Sequence, residues 1–283
     1  MTEFECGCEL PGANLNVSKM PGHWLLARLG KRVLRPGGLA MTRKLLSALS
    51  LSSVDHVVEF APGLGVTARM TLAANPASYT AVERDTAATG EVRRWLDRLA
   101  ATNPRRVLTG LAQKTGLPDQ CANVVYGEAM LSMQGETSKH EIVREAYRLL
   151  KPGGRYGIHE LCVHPDDLGV EELNAIRQSV TEAIRHRALP LTGREWEELL
   201  QSEGFEIVHR SLMAMALLEA PRLVKDEGVF GAIRFVWRVL CDRAARSRVL
   251  AMRRTFRQHR HHMAAICLVA RKPTVEPAAR ALG

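Results

Sequence analysis

The chain of 283 residues is 46% hydrophobic and 24% charged, which excludes a disordered or fibrous protein, and it is long enough to bury a core without disulfide or metal staples. No apolar run reaches the roughly 18 residues that a membrane-spanning helix needs. The polar, acidic start MTEFECGCEL is unlike a secretory signal and the six cysteines are scattered, so a cytoplasmic protein with no stable membrane insertion is expected. The net charge of +9 is segregated: Ser18–Lys44 holds 7 basic and no acidic residues, Leu45–Ala220 holds 18 and 23, and Pro221–Lys272 holds 13 and 3. Two basic arms around an acidic middle suggest segments folded over a ligand rather than a uniform nucleic-acid surface. Arginine supplies 31 of the 39 cations, which suits forked recognition of acidic groups.

The elements follow in chain order. Apolar spacing predicts a helix from His23 to Leu34, stopped by Arg35-Pro36-Gly37-Gly38, and a second from Leu39 to Leu49. The pattern then alternates. His56–Phe60 reads as a buried strand, Val66–Ala74 as a helix, Ser78–Glu83 as a strand and Thr86–Ala101 as a helix with Val92, Trp95, Leu96 and Leu99 on one face. Arg106–Thr109, Asn123–Gly127 and Tyr156–Leu161 are further strands. Two capping boxes are expected, one at Ser138-Lys139-His140-Glu141 opening a helix to Leu150, the other at Thr192-Gly193-Arg194-Glu195 opening a helix to Gly204. Phe205–Leu217 and Met263–Ala270 hold the last strands, separated by an Arg-rich stretch with helical spacing of Phe230, Ile233, Trp237 and Leu240. Alternating strands and helices predict an α/β fold: a Rossmann-like, mainly parallel sheet of seven strands with helices on both faces. The organisation expected is an N-terminal helical lid over 1–49, a core over 50–218, a helical insert over 219–262 and a last strand with a tail over 263–283.

The first strand ends in Glu59-Phe60-Ala61-Pro62-Gly63-Leu64-Gly65-Val66-Thr67-Ala68. Ligands in open α/β sheets sit beyond the carboxyl ends of the strands, and glycines there let the backbone approach them closely. Gly63-x-Gly65-x-x-Ala68 with Glu83 twenty residues on also matches the dinucleotide fingerprint, so an NAD(P)-dependent oxidoreductase is a competitor. Glu59 speaks against it, since a carboxylate at the strand mouth would repel a pyrophosphate and favour a cation. A ribose held by Glu83 and a positively charged tail near Glu59 fit S-adenosylmethionine.

On these residues the chain resembles the class I S-adenosylmethionine-dependent methyltransferases of the small-molecule type. VVEFAPGLG is similar to that family's first motif, with Pro62 in place of a more usual glycine or cysteine, and Tyr79-Thr80-Ala81-Val82-Glu83-Arg84-Asp85 is similar to the second. Leu149-Leu150-Lys151-Pro152-Gly153-Gly154 is a further family habit. The resemblance implies that Glu59, Ala61, Gly63 and Gly65 line the methionine part of the cofactor, and that Glu83, with Arg84 beside it, grips the ribose. Where the family often has Gly-Asp-Ala after the third strand, this chain has Gly110-Leu111-Ala112, which leaves Ala112 or Gln113 to meet the adenine; Glu128 and Met130 should border the cofactor as well.

Methyl transfer needs alignment, exclusion of water and, for a hydroxyl or ammonium acceptor, a base within reach. His159 and Glu160, at the end of the fifth strand, are the candidate bases; alternation along the strand lets only one face the site. His23 and Trp24 in the first basic arm, and Arg234 and Arg238 one helical turn apart in the insert, are the candidate substrate contacts. The insert is longer than the family's usual hairpin and would build a substrate cover or a homodimer contact. Cys6 and Cys8 lack a second pair at zinc-site spacing, and Arg260 interrupts the cluster of His259, His261 and His262, so no metal site is expected. The activity expected is methyl transfer to a small, acidic or amphiphilic metabolite; the alternatives are an RNA or protein methyltransferase and a non-catalytic cofactor-binding scaffold. The 5% aromatic content and the lack of an RNA-binding module argue against nucleic acid.

Overall fold

The computed structural model describes residues 15–99 and 103–274. Successive side chains of a strand point to opposite faces, and the central strands are buried on both, so this sorting builds a core layer on each side of the sheet. Strands β1 (His56–Phe60), β2 (Ser78–Glu83), β3 (Arg105–Thr109), β4 (Ala122–Glu128), β5 (Leu150–Val163), β7 (Glu206–Ala214) and β8 (Met263–Arg271) form one sheet in the order β3-β2-β1-β4-β5-β8-β7, and the two-residue β6 (Leu191–Thr192) pairs with the end of β5. β8 runs antiparallel to both neighbours, while the other pairings are parallel.

Helices α2 (Gly38–Leu49), α3 (Val66–Leu72) and α4 (Thr86–Asp97) cover one face, packing Leu45, Ala68 and Val92 against Val57, Tyr79, Val124 and Cys267. Helices α5 (Glu136–Leu149) and α7 (Gly193–Ser202) cover the other, packing Ile142, Ala146 and Trp196 against Val58, Val125, Ile158 and Leu268. The neighbours Val57 and Val58, and likewise Cys267 and Leu268, thus serve opposite layers, as strand alternation requires.

A third core lies at the end of β5. There α1 (Gly22–Arg28), α6 (Val170–Ile184), α8 (Ala220–Cys241) and α9 (Arg243–Gln258) bury Leu25, Ile176, Phe235 and Met252 over Leu161, Val163 and Met263. The basic first segment and the Arg-rich insert therefore pack on one another as one cap.

Several local expectations are corrected. α1 stops at Arg28 rather than Leu34, because Gly30 turns the chain with φ +99° and an irregular segment follows to Gly37. α5 starts at Glu136 with Gly135 as its N-cap, so Ser138 lies inside the first turn and forms no capping box. The Thr192–Glu195 box is present in both directions. α6 had no counterpart among the expected elements, although Leu173, Ile176, Val180 and Ile184 carry its buried stripe. The insert is two helices, with Asp242 capping the second by accepting a hydrogen bond from the Ala245 N–H. α8 itself is broken at Gly228, where φ is +74° and ψ 168°.

Candidate active site

The sheet order reverses between β1 and β4: the chain runs outward through β2 and β3, then returns to the other side of β1. The crevice at such a switch point is where open α/β sheets bind ligands, and a cavity of about 200 Å³ lies there. Its floor is made by Ala61–Leu64 after β1, Glu83 and Arg84 after β2, Gly110–Gln113 after β3 and Glu128–Met130 after β4. Arg32, Leu34 and Arg35 reach it from the segment after α1, and His23, Trp24 and His186 from the cap. Ala61 and Ala129 hold φ of +51° and +52° at this cavity, a conformation that non-glycine residues adopt only where the surroundings impose it.

The two glycines of the first turn do different work. A Cβ at Gly63 would meet nothing within 4 Å, so the space over it is open to a ligand. A Cβ at Gly65 would stand 2.6 Å from the Trp95 ring, so that glycine admits a core side chain and does not line the cavity. Both have positive φ, which glycine alone adopts without strain.

Three carboxylates near the site have distinct environments. Glu83 accepts hydrogen bonds from the N–H groups of Gly63 (3.1 Å) and Asp85 (2.9 Å), and burial raises its pKa despite them. It faces the cavity with lone pairs to spare for hydroxyl groups. Glu59 lies beneath the floor, not in the lining: it accepts from the hydroxyls of Tyr79 at 2.5 Å and Tyr126 at 2.7 Å. Burial pushes its carboxyl up to about 7 against those two donors. The charge expected at the strand mouth is therefore sequestered by two tyrosines, and the argument that it repels a pyrophosphate loses its footing.

Glu128 is the third. Burial works to raise its pKa, but Arg35, His159 and Thr67 outweigh that and hold it down to about 2. Its Oε2 accepts from Arg35 Nη1 and Thr67 Oγ1, and its Oε1 from Thr42 Oγ1 (2.7 Å) and His159 Nδ1 (2.8 Å). Glu128 and His159 are register partners on β4 and β5, which sets the two side chains next to each other. The Gly37 N–H donates to His159 Nε2 at 3.1 Å, so His159 presents a proton to Glu128 and a lone pair to the N-terminal segment.

The two expected bases thus have their capacity used. His159 is fully buried between Glu128 and Gly37, and Glu160 is fully buried on the opposite side of the strand. Glu160 accepts from the N–H groups of Met130, Leu131 and Ser132 and from Ser132 Oγ, and so fixes the 3₁₀ turn Leu131–Met133 after β4. Neither lines the cavity. Arg234 and Arg238 do not line it either; Arg238 donates to the Arg28 carbonyl at 3.5 Å and the Arg234 guanidinium lies against Gly30. Ala61, Gly63, Glu83, Arg84, Ala112, Gln113, Glu128, Met130, His23 and Trp24 do come together there. Cys6 and Cys8 lie outside the described residues, and among the described residues no group of three His, Cys, Asp or Glu is placed to hold a metal ion.

A second chamber, of about 70 Å³, adjoins the first and shares His23, Leu34, Ala129 and Met133 with it. Its remaining walls are almost wholly apolar: Leu26 from α1, Val180 and Ile184 from α6, Met215 and Leu217 after β7, and Met252 and Phe256 from α9. His23 stands at the junction, its ring 4.8 Å from Trp24 and 5.6 Å from His186 between centroids. Burial, then His186 and Arg84, lower its pKa to about 4, so it is neutral near pH 7. His186 and the apolar chamber had no signal in the strand motifs; the spacing of Val180 and Ile184 on α6 is the sequence trace of the chamber wall.

Residues 58–158 match the family model described as a methyltransferase domain. An uncharacterized protein of Haemophilus influenzae is 29% identical over 248 residues, which is 87% of this chain and 96% of that one. Among solved structures, a geranyl diphosphate methyltransferase in complex with S-adenosylmethionine superposes with a TM-score of 0.60 at 14% identity, covering 82% of this chain and 84% of its own. The [4+2]-cyclase SpnF superposes with a TM-score of 0.64 at 17% identity, covering 83% and 82%.

Proposed function

On a chain that carries a class I, S-adenosylmethionine-dependent methyltransferase domain, we propose that the methyl acceptor is a small amphiphilic metabolite whose apolar body occupies the chamber next to the cofactor cavity. One observation carries this reading: an apolar chamber adjoins the strand-end cavity and shares His23, Leu34, Ala129 and Met133 with it as walls. Bound apolar surface is the main source of affinity in such a pocket, and a few polar groups set orientation. Arg32 and Arg84, on the larger cavity, favour an acidic group at the polar end of the acceptor.

The residues present fit the cofactor. Open space over Gly63 admits the methionine part, Glu83 offers acceptor lone pairs to ribose hydroxyls, and Ala112 and Gln113 wall the side where the adenine would lie. When bound, S-adenosylmethionine supplies a methyl group on a cationic sulfur that is already a strong electrophile. The chain's own part is then alignment and dryness. The buried Arg35–Glu128–His159 network ties the N-terminal segment down at the edge of the cavity, and the apolar chamber excludes water around the acceptor. His23, neutral and at the junction, is placed to accept a hydrogen bond from an acceptor O–H or N–H and so to orient it. His159 and Glu160 are braces in this reading.

The test is turnover with S-adenosylmethionine against a series of acceptors that share one polar end and differ in apolar length, reading S-adenosylhomocysteine. Activity should rise with apolar length until the chamber is filled. Equal turnover of fully polar analogues would sink the proposal. Because a cyclase shares the fold, and fold alone does not fix a reaction, the assay reads methyl transfer itself rather than acceptor loss.

A further inference from the structure

Beyond the kink at Gly228, α8 turns an apolar face to solvent. Val229, Phe230, Ile233, Val236, Trp237 and Leu240 are all exposed, Phe230 by 88% and Trp237 by 63%. Their spacing of one, three and four residues places them on one side of the helix, opposite the buried Ala232, Phe235 and Val239. A continuous exposed row of this kind marks an interaction surface, since monomers rarely leave large apolar patches uncovered.

The charges around the row say what covers it. Between Val229 and Cys241 the only charged side chains are Arg234 and Arg238, on the flank between the exposed row and the buried face. Exposed Arg28 lies beneath Arg238, whose guanidinium donates to the Arg28 carbonyl, and Lys225 before the kink and Arg243 just after the helix are exposed cations next to the row in sequence. Asp226 and Glu227 are turned inward: Glu227 accepts from the N–H groups of Arg32 and Val33 and pairs with the buried Lys31, and Asp226 accepts from the Leu39 N–H. Asp242 is spent as the cap of α9. A second copy of the chain would lay this basic face against itself, because a two-fold contact pairs the same patch on both partners. An apolar helix face flanked by arginines is instead complementary to an anionic lipid surface, with the apolar row at the acyl boundary and the cations among the headgroups.

We propose that the exposed face of α8 from Val229 to Leu240 seats the protein on anionic membranes as an interfacial helix that does not span them. No helix among the described residues is long and apolar enough to cross a bilayer. The same helix end packs on the segment that carries Arg32 and Leu34 to the cavity, so docking here sets the acceptor chamber close to the lipid from which an amphiphile would come. That last link rests on the acceptor class proposed above; the docking itself does not.

The experiment is flotation of the full chain with vesicles of phosphatidylcholine alone and of phosphatidylcholine mixed with phosphatidylglycerol, at low and high salt, without cofactor or acceptor. The protein should float with the anionic vesicles, with a blue shift in tryptophan emission, and remain behind with neutral ones. The double variant Phe230→Ser/Trp237→Ser, at exposed positions that leave the core intact, should lose partition by about tenfold or more, given the transfer value of two such side chains. No flotation, equal flotation with neutral vesicles, or an unaffected double variant would overturn the proposal. A dimer in light scattering that the double variant dissociates would assign the face to a second copy instead. Because flotation needs no turnover, a failed acceptor screen and a failed docking experiment are told apart.

Discussion

The strand-end cavity and the apolar chamber share four wall residues yet are built in opposite ways. The cavity is of mixed polarity and local: its floor is four short turns, each at the end of a parallel strand, and each held by bonds within a few residues or to the next strand, such as the Gly63 and Asp85 N–H groups on Glu83 and the Ala61 N–H on the Val82 carbonyl (2.8 Å). The chamber is apolar and assembled from distance. Leu26, Val180, Leu217 and Phe256 come from four separate parts of the chain and meet only when the cap has packed. Chemistry common to a whole fold can be held by turns at the sheet, while selectivity for one acceptor is left to helices that vary without disturbing it.

The largest expected effect breaks both regions at once. Glu128 belongs to the floor of the cavity, but its partners Arg35 and Thr42 belong to the N-terminal segment, and His159 passes its hold on to Gly37. Glu128→Ala leaves Arg35 as a buried cation without its carboxylate, a change that typically costs about 3–5 kcal/mol. Thermal unfolding should move down by several degrees or more, and calorimetry should show cofactor binding lost with it. A variant that melts like the parent would mean that the network is not what joins the two regions.

The next two variants separate the regions. Glu83→Ala should weaken S-adenosylmethionine binding by about 10- to 100-fold, the loss of one or two hydrogen bonds to a charged group, while the melting point without ligand changes little by comparison. Leu217→Trp, at a half-buried wall of the chamber, should raise the KM for the acceptor about tenfold or more with cofactor affinity unchanged, since it fills the space proposed above for the acceptor's apolar body. If both variants shifted both constants alike, the division into a cofactor half and an acceptor half would fall.

The same contrast explains what the sequence made legible. Short apolar runs, glycine turns and the Thr192 capping box are signals within a few residues, and the mainly parallel sheet and most of the cavity floor followed from them, whereas the order of the strands did not. Glu59 misled because its position at the strand end was visible while Tyr79 and Tyr126, on two other strands, were not seen to close over it. His159 and Glu160 misled for a related reason: both stand at the expected strand end, but their partners at Gly37 and Ser132 come from elsewhere. Arg234 and Arg238 have a helical spacing that says nothing about which face is turned to the cavity. His186 had no local motif, and the chamber left only the spacing of Val180 and Ile184 on one of its walls, because an apolar pocket is the gap left between packed helices.

The smallest effect sharpens the comparison by sign. Glu59, under the cavity, has its carboxyl raised by burial from an ordinary 4.5 to about 7. The folded protein therefore holds a proton there that the unfolded chain has released between those values, and stability from this group is full below about 4.5 and lost as pH rises through about 7. His23, at the chamber, is lowered by burial and by His186 from 6.5 to about 4. There the unfolded chain binds the extra proton, so stability is full above about 6.5 and lost as pH falls toward 4. Melting curves between pH 4 and 8 should then respond in opposite directions: Glu59→Gln removes a decline toward higher pH, and His23→Asn removes a decline toward lower pH. Each variant should flatten its own limb by a few degrees at most and leave the other as it was, because the two groups sit in separate cores. Flattening of both limbs by either variant would show the cavity floor and the cap titrating as one unit, and would replace the two-region picture with a single coupled one.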